Sequence, residues 1–144
     1  MKKQAHTMIA MFVLVGSMAV AAQAQGGHPV LSANIPFDFN VGNKTLPAGE
    51  YTVREVNPGP ALLQLQSKDG RESAMVLMNT VIGKAQESAK LVFHRYGSRY
   101  FFAQAWIDGD NSGLQAPRSR AERAVERELA STERKTETIA LRHQ

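Results

Sequence analysis

From Asn34 to Ile107 apolar and polar residues alternate over short stretches separated by turn residues, and no stretch holds a helical period long enough to compete. The pattern predicts strands. In the first stretch, Ala33 to Phe39, residues Ile35, Phe37 and Phe39 fall on one face, while Pro36, which has no N–H for a ladder, requires an edge position or a bulge. Leu46-Pro47-Ala48-Gly49 then turns the chain into Glu50 to Val56, with Tyr51 and Val53 facing in and Thr52 and Arg54 facing out. Asn57-Pro58-Gly59-Pro60 ends that strand.

Two hairpins have a register that can be read from their turns. Asp69-Gly70 suits a type I′ turn, whose two central residues take positive φ, and pairing outward sets Leu65 opposite Ala74, Leu63 opposite Val76 and Gln66 opposite Ser73. Gly97-Ser98 suits a type II′ turn and sets Phe93 opposite Phe102, an aromatic cross-strand pair. Leu91, Tyr100 and Trp106 share the face of that pair, and Val92, Phe101, Ala103, Ala105 and Ile107 occupy the other. A strand apolar on both faces needs cover on both. The C-terminal helix, a second sheet or another subunit would supply it.

After Gly113 the composition turns to Arg, Glu and Ala. Ser119-Arg120-Ala121-Glu122 fits a capping box, in which the serine hydroxyl accepts from the Glu122 N–H and the glutamate returns to the Ser119 N–H. The helix has a thin apolar stripe of Ala121, Ala124, Val125 and Leu129, which predicts weak docking or projection into solvent. Beyond Ala130 the Thr, Glu and Lys content predicts fraying.

At the other end, Lys2 and Lys3, the apolar run Met8 to Ala22 and the small residues of Ala22-Gln23-Ala24 are the three parts of a secretory signal, with cleavage expected after Ala24. A run of 15 residues containing Gly16 and Ser17 is short for a span of roughly 20. No membrane span is therefore expected after cleavage, and the 120 residues that remain suffice for one core. The predicted organisation is a signal peptide over 1–24, a flexible N-terminus over 25–32, an antiparallel β domain over 33–113, a helix over 117–130 and a frayed tail over 131–144. The fold class is all-β, a single antiparallel β-sandwich or small barrel of about six to seven strands with a charged C-terminal helix.

Composition narrows the chemistry. The chain has no cysteine, which removes thiolate metal sites, thiol catalysis and a lipid anchor on cysteine. Its 17 basic and 13 acidic side chains become 15 and 13 once Lys2 and Lys3 leave with the signal; residues 25–113 carry eight of each. No basic stripe remains for nucleic acid.

Three local patterns could carry function. Asp108-Gly109-Asp110-Asn111-Ser112-Gly113 places oxygen-bearing side chains of Asp108, Asp110 and Ser112 at alternate positions before a glycine, as in the first half of a calcium loop. Its twelfth position is Ser119 rather than glutamate, and a plain Gly-Asp-Asn connection explains the segment as well. His94 stands in a strand with no linear partner for acid–base work, and a hydrogen-bonded, partly buried imidazole accounts for it. Around the Gly97-Ser98 turn, His94, Arg95, Tyr96, Arg99 and Tyr100 form a basic, aromatic tip of the kind that stacks sugars or anionic polymers, or that simply covers apolar surface with its stems. Glycosidase carboxylate pairs, phosphate loops and hydrolase elbows leave no linear trace, although Asp38, Glu55 and Glu72 can meet through folding.

The segments Ile35-Pro36-Phe37-Asp38-Phe39-Asn40-Val41-Gly42, Leu46-Pro47-Ala48-Gly49-Glu50-Tyr51-Thr52-Val53, Lys90-Leu91-Val92-Phe93-His94-Arg95-Tyr96-Gly97 and Ser119-Arg120-Ala121-Glu122-Arg123 resemble a family of small exported bacterial proteins to which no activity is assigned. The resemblance implies export and a single domain, and carries over no catalytic residue. The Pro-Ala-Gly-x-Tyr-x-Val segment is also similar to that of immunoglobulin-like and transthyretin-like modules. The functional expectation is a non-enzymatic envelope or extracellular domain, periplasmic or secreted, that meets an envelope protein. A small-ligand or glycan binder at the tip is the alternative, and a hydrolase with carboxylates assembled in space comes third. No cofactor is expected unless the Asp108 loop holds calcium.

Overall fold

Alternating sequence becomes paired strand from the first described residues onward. The structure, a computed structural model, describes residues 30–56, 61–130 and 133–143. The predicted signal over 1–24 and the turn Asn57 to Pro60 lie outside them. The strands are β1 (Leu31–Ile35), β2 (Phe39–Val41), β3 (Lys44–Leu46), β4 (Gly49–Glu55), β5 (Leu62–Ser67), β6 (Ser73–Leu77), β7 (Asn79–Ile82), β8 (Lys90–Tyr96), β9 (Arg99–Trp106) and β10 (Ser112–Gln115). Helix α1 (Arg120–Glu128) follows, and then β11 (Lys135–Ala140) and β12 (Arg142–His143). The first sheet has the order β12-β1-β4-β5-β6 and the second β11-β8-β9-β10-β7, with the β2–β3 hairpin attached to β9 through one parallel bridge at Asn40 and Phe101. The fold is all-β, a sandwich of two sheets with a C-terminal helix. Among the described residues twelve strands replace the expected six or seven because several have four residues or fewer, too short to declare themselves by alternation.

The inner faces of the two sheets meet in one core. One half is aromatic: Phe39 packs edge-on against Tyr51 across the sheets and against Phe93, which in turn meets Phe37 and Phe102. The other half is aliphatic, built from Leu31 and Leu63 of the first sheet and Leu91, Ala105 and Leu141 at the second. Pro36 acts as its chemistry requires. It ends β1, and the chain crosses between the sheets over Pro36 to Asp38 before β2 begins, so Ala33 to Phe39 is not one strand.

Both predicted registers hold, with two corrections. Leu65 pairs with Ala74, Leu63 with Val76 and Gln66 with Ser73. The turn is not type I′, however, because only Gly70 has positive φ (76°). Its hydrogen bond runs from Gly70 N–H to the Ser67 carbonyl at 2.9 Å, and Asp69 instead accepts from the Ser67 hydroxyl and the Arg71 N–H. In the second hairpin Tyr96 pairs with Arg99 around Gly97 at φ 60°, and Phe93 faces Phe102 with ring centroids 5.8 Å apart. A bulge then shifts the ladder between Val92 and Phe93, so Leu91 pairs with Ala105 and Lys90 with Trp106. The one extra residue is on β9, and it exchanges the two faces of that strand beyond it. Ala105 therefore joins Leu91 in the core, and Trp106 leaves it to lie across Gly113 and Gly83.

The ends of the chain depart furthest from expectation. The β domain does not stop at 33 and 113. Leu31 and Ser32, expected in a flexible segment, pair with Val53 and Thr52. The tail expected to fray over 131–144 supplies β11, which pairs with β8 from Lys135 opposite Arg95 to Ala140 opposite Lys90, and β12, which pairs with β1. Tertiary context overrides weak propensity here: β8 and β1 need outer neighbours, and Ile139 and Leu141 place apolar side chains on the core. Helix α1 is shorter than 117–130 and does not project into solvent. Val125 packs on Tyr96 and Phe101, with Ala121 and Leu129 beside it, covering the outer face of the β8–β9 hairpin.

Candidate functional site

Under α1 the hairpin and the helix bring together a polar set that no linear motif announces. His94 and Tyr96 sit two residues apart on β8, so both side chains leave the outer face of the second sheet and point toward the helix. Glu122 lies in the first turn of α1, three residues before Val125, so the contact that seats Val125 also drives Glu122 inward until it is 3% exposed. His94 Nδ1 lies 2.7 Å from Glu122 Oε1, and the Tyr96 hydroxyl donates to the same oxygen at 3.0 Å. Burial, followed by the Glu122 charge, raises the Tyr96 phenol above its ordinary value, while the Arg134 guanidinium acts in the opposite direction.

Half of the expected capping box forms. The Ser119 hydroxyl accepts from the Glu122 N–H at 3.0 Å, and the Glu122 carboxylate turns away from the cap to His94 and Tyr96. The signal for this pairing was present in the spacing, since Glu122, Val125 and Leu129 form a three-four stripe. A glutamate on the stripe that docks must carry its partners with it.

The five residues of the predicted tip have internal roles. Tyr96 is buried, and His94 is bound to the helix. Tyr100 stacks on Phe37 with centroids 3.8 Å apart and planes 11° off parallel, and the Arg95 guanidinium carbon lies 5.4 Å from its centre. Arg95 also donates to the Gly97 carbonyl at 2.7 Å and to Glu137 at 3.3 Å, which ties the hairpin to β11. Arg99 reaches Glu128 of α1 at 3.8 Å. The aromatic faces that a sugar would stack on are thus occupied. What remains is a groove of about 510 Å³ beside α1, floored by Phe101 and Val125 and rimmed by Asp38, Arg99 and Glu128.

The acidic candidates separate. Burial first, and then the charges of Glu72, Asp38 and Asp69, raise the Tyr51 phenol, which lies toward the start of β4. Glu55 stands at the other end of that strand. Of the calcium-loop residues, Asp110 accepts from the Ser112 N–H at 2.9 Å and its hydroxyl at 2.8 Å, and these bonds hold the Asp110 carboxyl below its usual range. Asp108 faces His143 of β12 at 3.5 Å. The segment is a turn joining β9 to β10, bonded within itself through Asp110 and Ser112 and to the β7–β8 connection through Gly83 and Gln86. Among the described residues no three His, Asp or Glu side chains are grouped to share a metal ion, and no helix is long and apolar enough to cross a membrane.

The sheet edge offers a second kind of site. Ser67 N–H donates to the Glu72 carbonyl and Met78 N–H to the Ala61 carbonyl, so the bonded pairs between β5 and β6 fall on alternate residues and include Ala74 and Val76. The backbone groups of Ser73, Met75 and Leu77 therefore face away from β5, and among the described residues β6 is the last strand of its sheet. Lys44 Nζ donates to the Ser73 carbonyl at 2.6 Å, guarding that end of the edge. At the other end the Met75 and Leu77 side chains are 55% and 58% exposed, and Ile82 on neighbouring β7 is 74% exposed.

Compared with protein-family models, with curated proteins and with solved structures, the chain matches none.

Proposed function

We propose that the chain is an exported, non-enzymatic β-sandwich domain that accepts an extended strand of a partner protein along the β6 edge. The observation carrying this reading is the outward row of backbone groups at Met75 and Leu77, flanked by their own exposed apolar side chains. Strand addition draws its affinity from such a row and its selectivity from the alternate side chains. A lysine guards one end only, as expected where an edge is protected from random pairing and kept open for a chosen one. Export rests on the Lys2-Lys3, Met8 to Ala22 and Ala22-Gln23-Ala24 pattern and on the family resemblance.

Against an enzymatic reading, the His94–Glu122 pair lies beneath α1 with the Tyr96 hydroxyl on the same oxygen, an arrangement that fastens a helix. A glycan site at the tip draws less support because Tyr96 is buried and Tyr100 is stacked on Phe37.

Amide hydrogen exchange on residues 25–144 tests the edge. Met75 and Leu77 exchange fast in the isolated domain and become protected when envelope extract is added, while Met75→Lys with Leu77→Lys abolishes protection without changing the far-UV spectrum. Unchanged exchange at both amides in the presence of extract refutes the strand-addition reading. Mass spectrometry of the exported product reads the signal directly: an N-terminus at Gln25 is expected, and an intact Met1 in the membrane fraction overturns export by cleavage.

A further inference from the structure

The charges that the sequence mixes along α1 are sorted by the fold. The helix carries three arginines and three glutamates, and opposite charges three or four residues apart ordinarily bridge along a helix surface. Among the described residues no ion pair joins two residues of α1. Glu122 turns inward to His94 and Tyr96, Glu126 accepts from Arg118 at 3.1 and 3.0 Å, and Glu128 faces Arg99 of β9. Each carboxylate of α1 is thus engaged with a group outside the helix.

Arg120, Arg123 and Arg127 are left over. All three are exposed, and among the described residues no carboxylate lies within ion-pair distance of any of them. At about 3.6 residues per turn they fall within roughly 60° of one another around the axis. That side faces away from Val125 and Leu129, which dock on the β8–β9 hairpin. The row rises about 10 Å from Arg120 to Arg127. Glu126 lies on one flank and Glu128 on the other, each beside its own arginine, so the ridge is one side chain wide and positive along its length.

We infer that this ridge binds a linear anionic polysaccharide carrying carboxylates along its length, a polyuronate in chemical class. The planar guanidinium fork fits a carboxylate through two parallel N–H bonds, and all three positions hold arginine where lysine would supply the same charge. A line of cations one side chain wide matches a polymer whose charges recur along a line. A lipid surface calls for large apolar side chains on the same face, and Ala124 is the only apolar residue of α1 that is exposed. Single-stranded nucleic acid calls for aromatic platforms, and α1 has no aromatic residue. The inference goes beyond strand addition and uses no residue of β6, so either can fail without the other.

Calorimetric titration of the full exported domain at low salt tests this, with polygalacturonate, neutral dextran, phosphatidylglycerol vesicles and a single-stranded oligonucleotide as the probes. Polygalacturonate is expected to bind saturably and dextran not at all, and added salt weakens the binding as it screens the ridge. Arg120→Gln, Arg123→Gln and Arg127→Gln together lower the affinity about tenfold or more. Arg71→Gln, Lys84→Gln and Arg142→Gln together remove the same net charge from exposed sites off the helix and leave the affinity within about twofold. Where circular dichroism finds the helix altered in the first variant, Arg123→Gln alone, at the middle of the row, replaces it with an expected loss of about threefold. The proposal is overturned if polygalacturonate does not saturate, if a folded helix variant binds as the unaltered domain does, or if the off-helix variant loses as much. Tighter binding of the vesicles or the oligonucleotide than of polygalacturonate overturns it as well.

Discussion

The two halves of the core use the same sheets and reach opposite outcomes. In the aromatic half, Phe37, Phe39, Tyr51, Phe93 and Phe102 interlock edge to face, Tyr100 stacks on Phe37, and α1 seals the outer side through Tyr96, Phe101 and Val125. In the aliphatic half, Leu31, Leu63, Ala105 and Leu114 surround a cavity. The cause is side-chain volume at equivalent positions. The bulge after Val92 turns Ala105 inward where the unshifted ladder would have brought Trp106, and the largest side chain of the chain ends up outside the core it would have filled. One residue of register thus separates a packed half from a hollow one.

The strongest way to break this comparison is to truncate a side chain in each half. Phe93 is fully buried and touches three other rings, so Phe93→Ala is expected to cost about 4 kcal/mol. Leu63 borders space that is already open, and Leu63→Ala should cost about 2 kcal/mol, near the lower limit for such changes. Urea denaturation of the two variants measures the gap. Equal losses would mean that the hollow half is packed as tightly as the aromatic one.

The cover over the aromatic half is next. Glu122→Ala leaves the Tyr96 hydroxyl and His94 Nδ1 without their buried acceptor, and the expected loss is about 3 kcal/mol, with helical signal lost before the sheet melts. Glu122→Gln keeps an acceptor oxygen and should recover a large part of it. If alanine and glutamine cost the same, the carboxylate charge and not the hydrogen bonds holds α1.

These effects trace how far the sequence could be read. Phe93 opposite Phe102 followed from a two-residue turn, because local chemistry fixes local register. Ser119 as N-cap followed for the same reason. The bulge did not follow, since nothing in Phe101 to Trp106 marks which residue drops out of the ladder, and the faces of Ala105 and Trp106 on β9 are exchanged while Leu91 on β8 keeps the face of Phe93. Strand β11 was missed because Lys135 to Ala140 reads as a polar tail until β8 is known to lack an outer neighbour. The His94–Glu122 pairing joins residues 28 apart, and only the docking of α1 brings them within bonding distance.

Alkaline titration sharpens the comparison on the tyrosines. Tyr51 and Tyr96 are raised above the ordinary phenol value of about 10, by burial first and by neighbouring carboxylates second. Both phenols are protonated below that value in either state, so their contribution is whole there. As pH climbs past it the unfolded phenols ionise before the native ones, and stability is lost through the native titration. Urea melts between pH 8 and pH 11, with phenolate absorbance recorded alongside, are expected to show this decline, with Tyr51→Phe and Tyr96→Phe each removing part of it. A decline unchanged by either substitution would assign the alkaline loss to other groups.

The smallest expected effect tests where α1 is fastened. Arg99 and Glu128 join the hairpin to the last turn of the helix at 3.8 Å, but their side chains are 55% and 66% exposed. At such exposure water screens the pair and holding two long side chains in place offsets much of the attraction, so Arg99→Ala should change stability by less than about 0.5 kcal/mol. The buried pair lies one helical turn and more from this rim, toward the N-terminus of the same helix, and only there are the partners denied water. A double-mutant cycle on Arg99 and Glu128, read by urea denaturation in low and high salt, distinguishes the two fastenings. A coupling as large as that of Glu122 with His94 would move the anchor of α1 to its exposed rim, and the aromatic half would then be sealed from its edge instead of from beneath the helix.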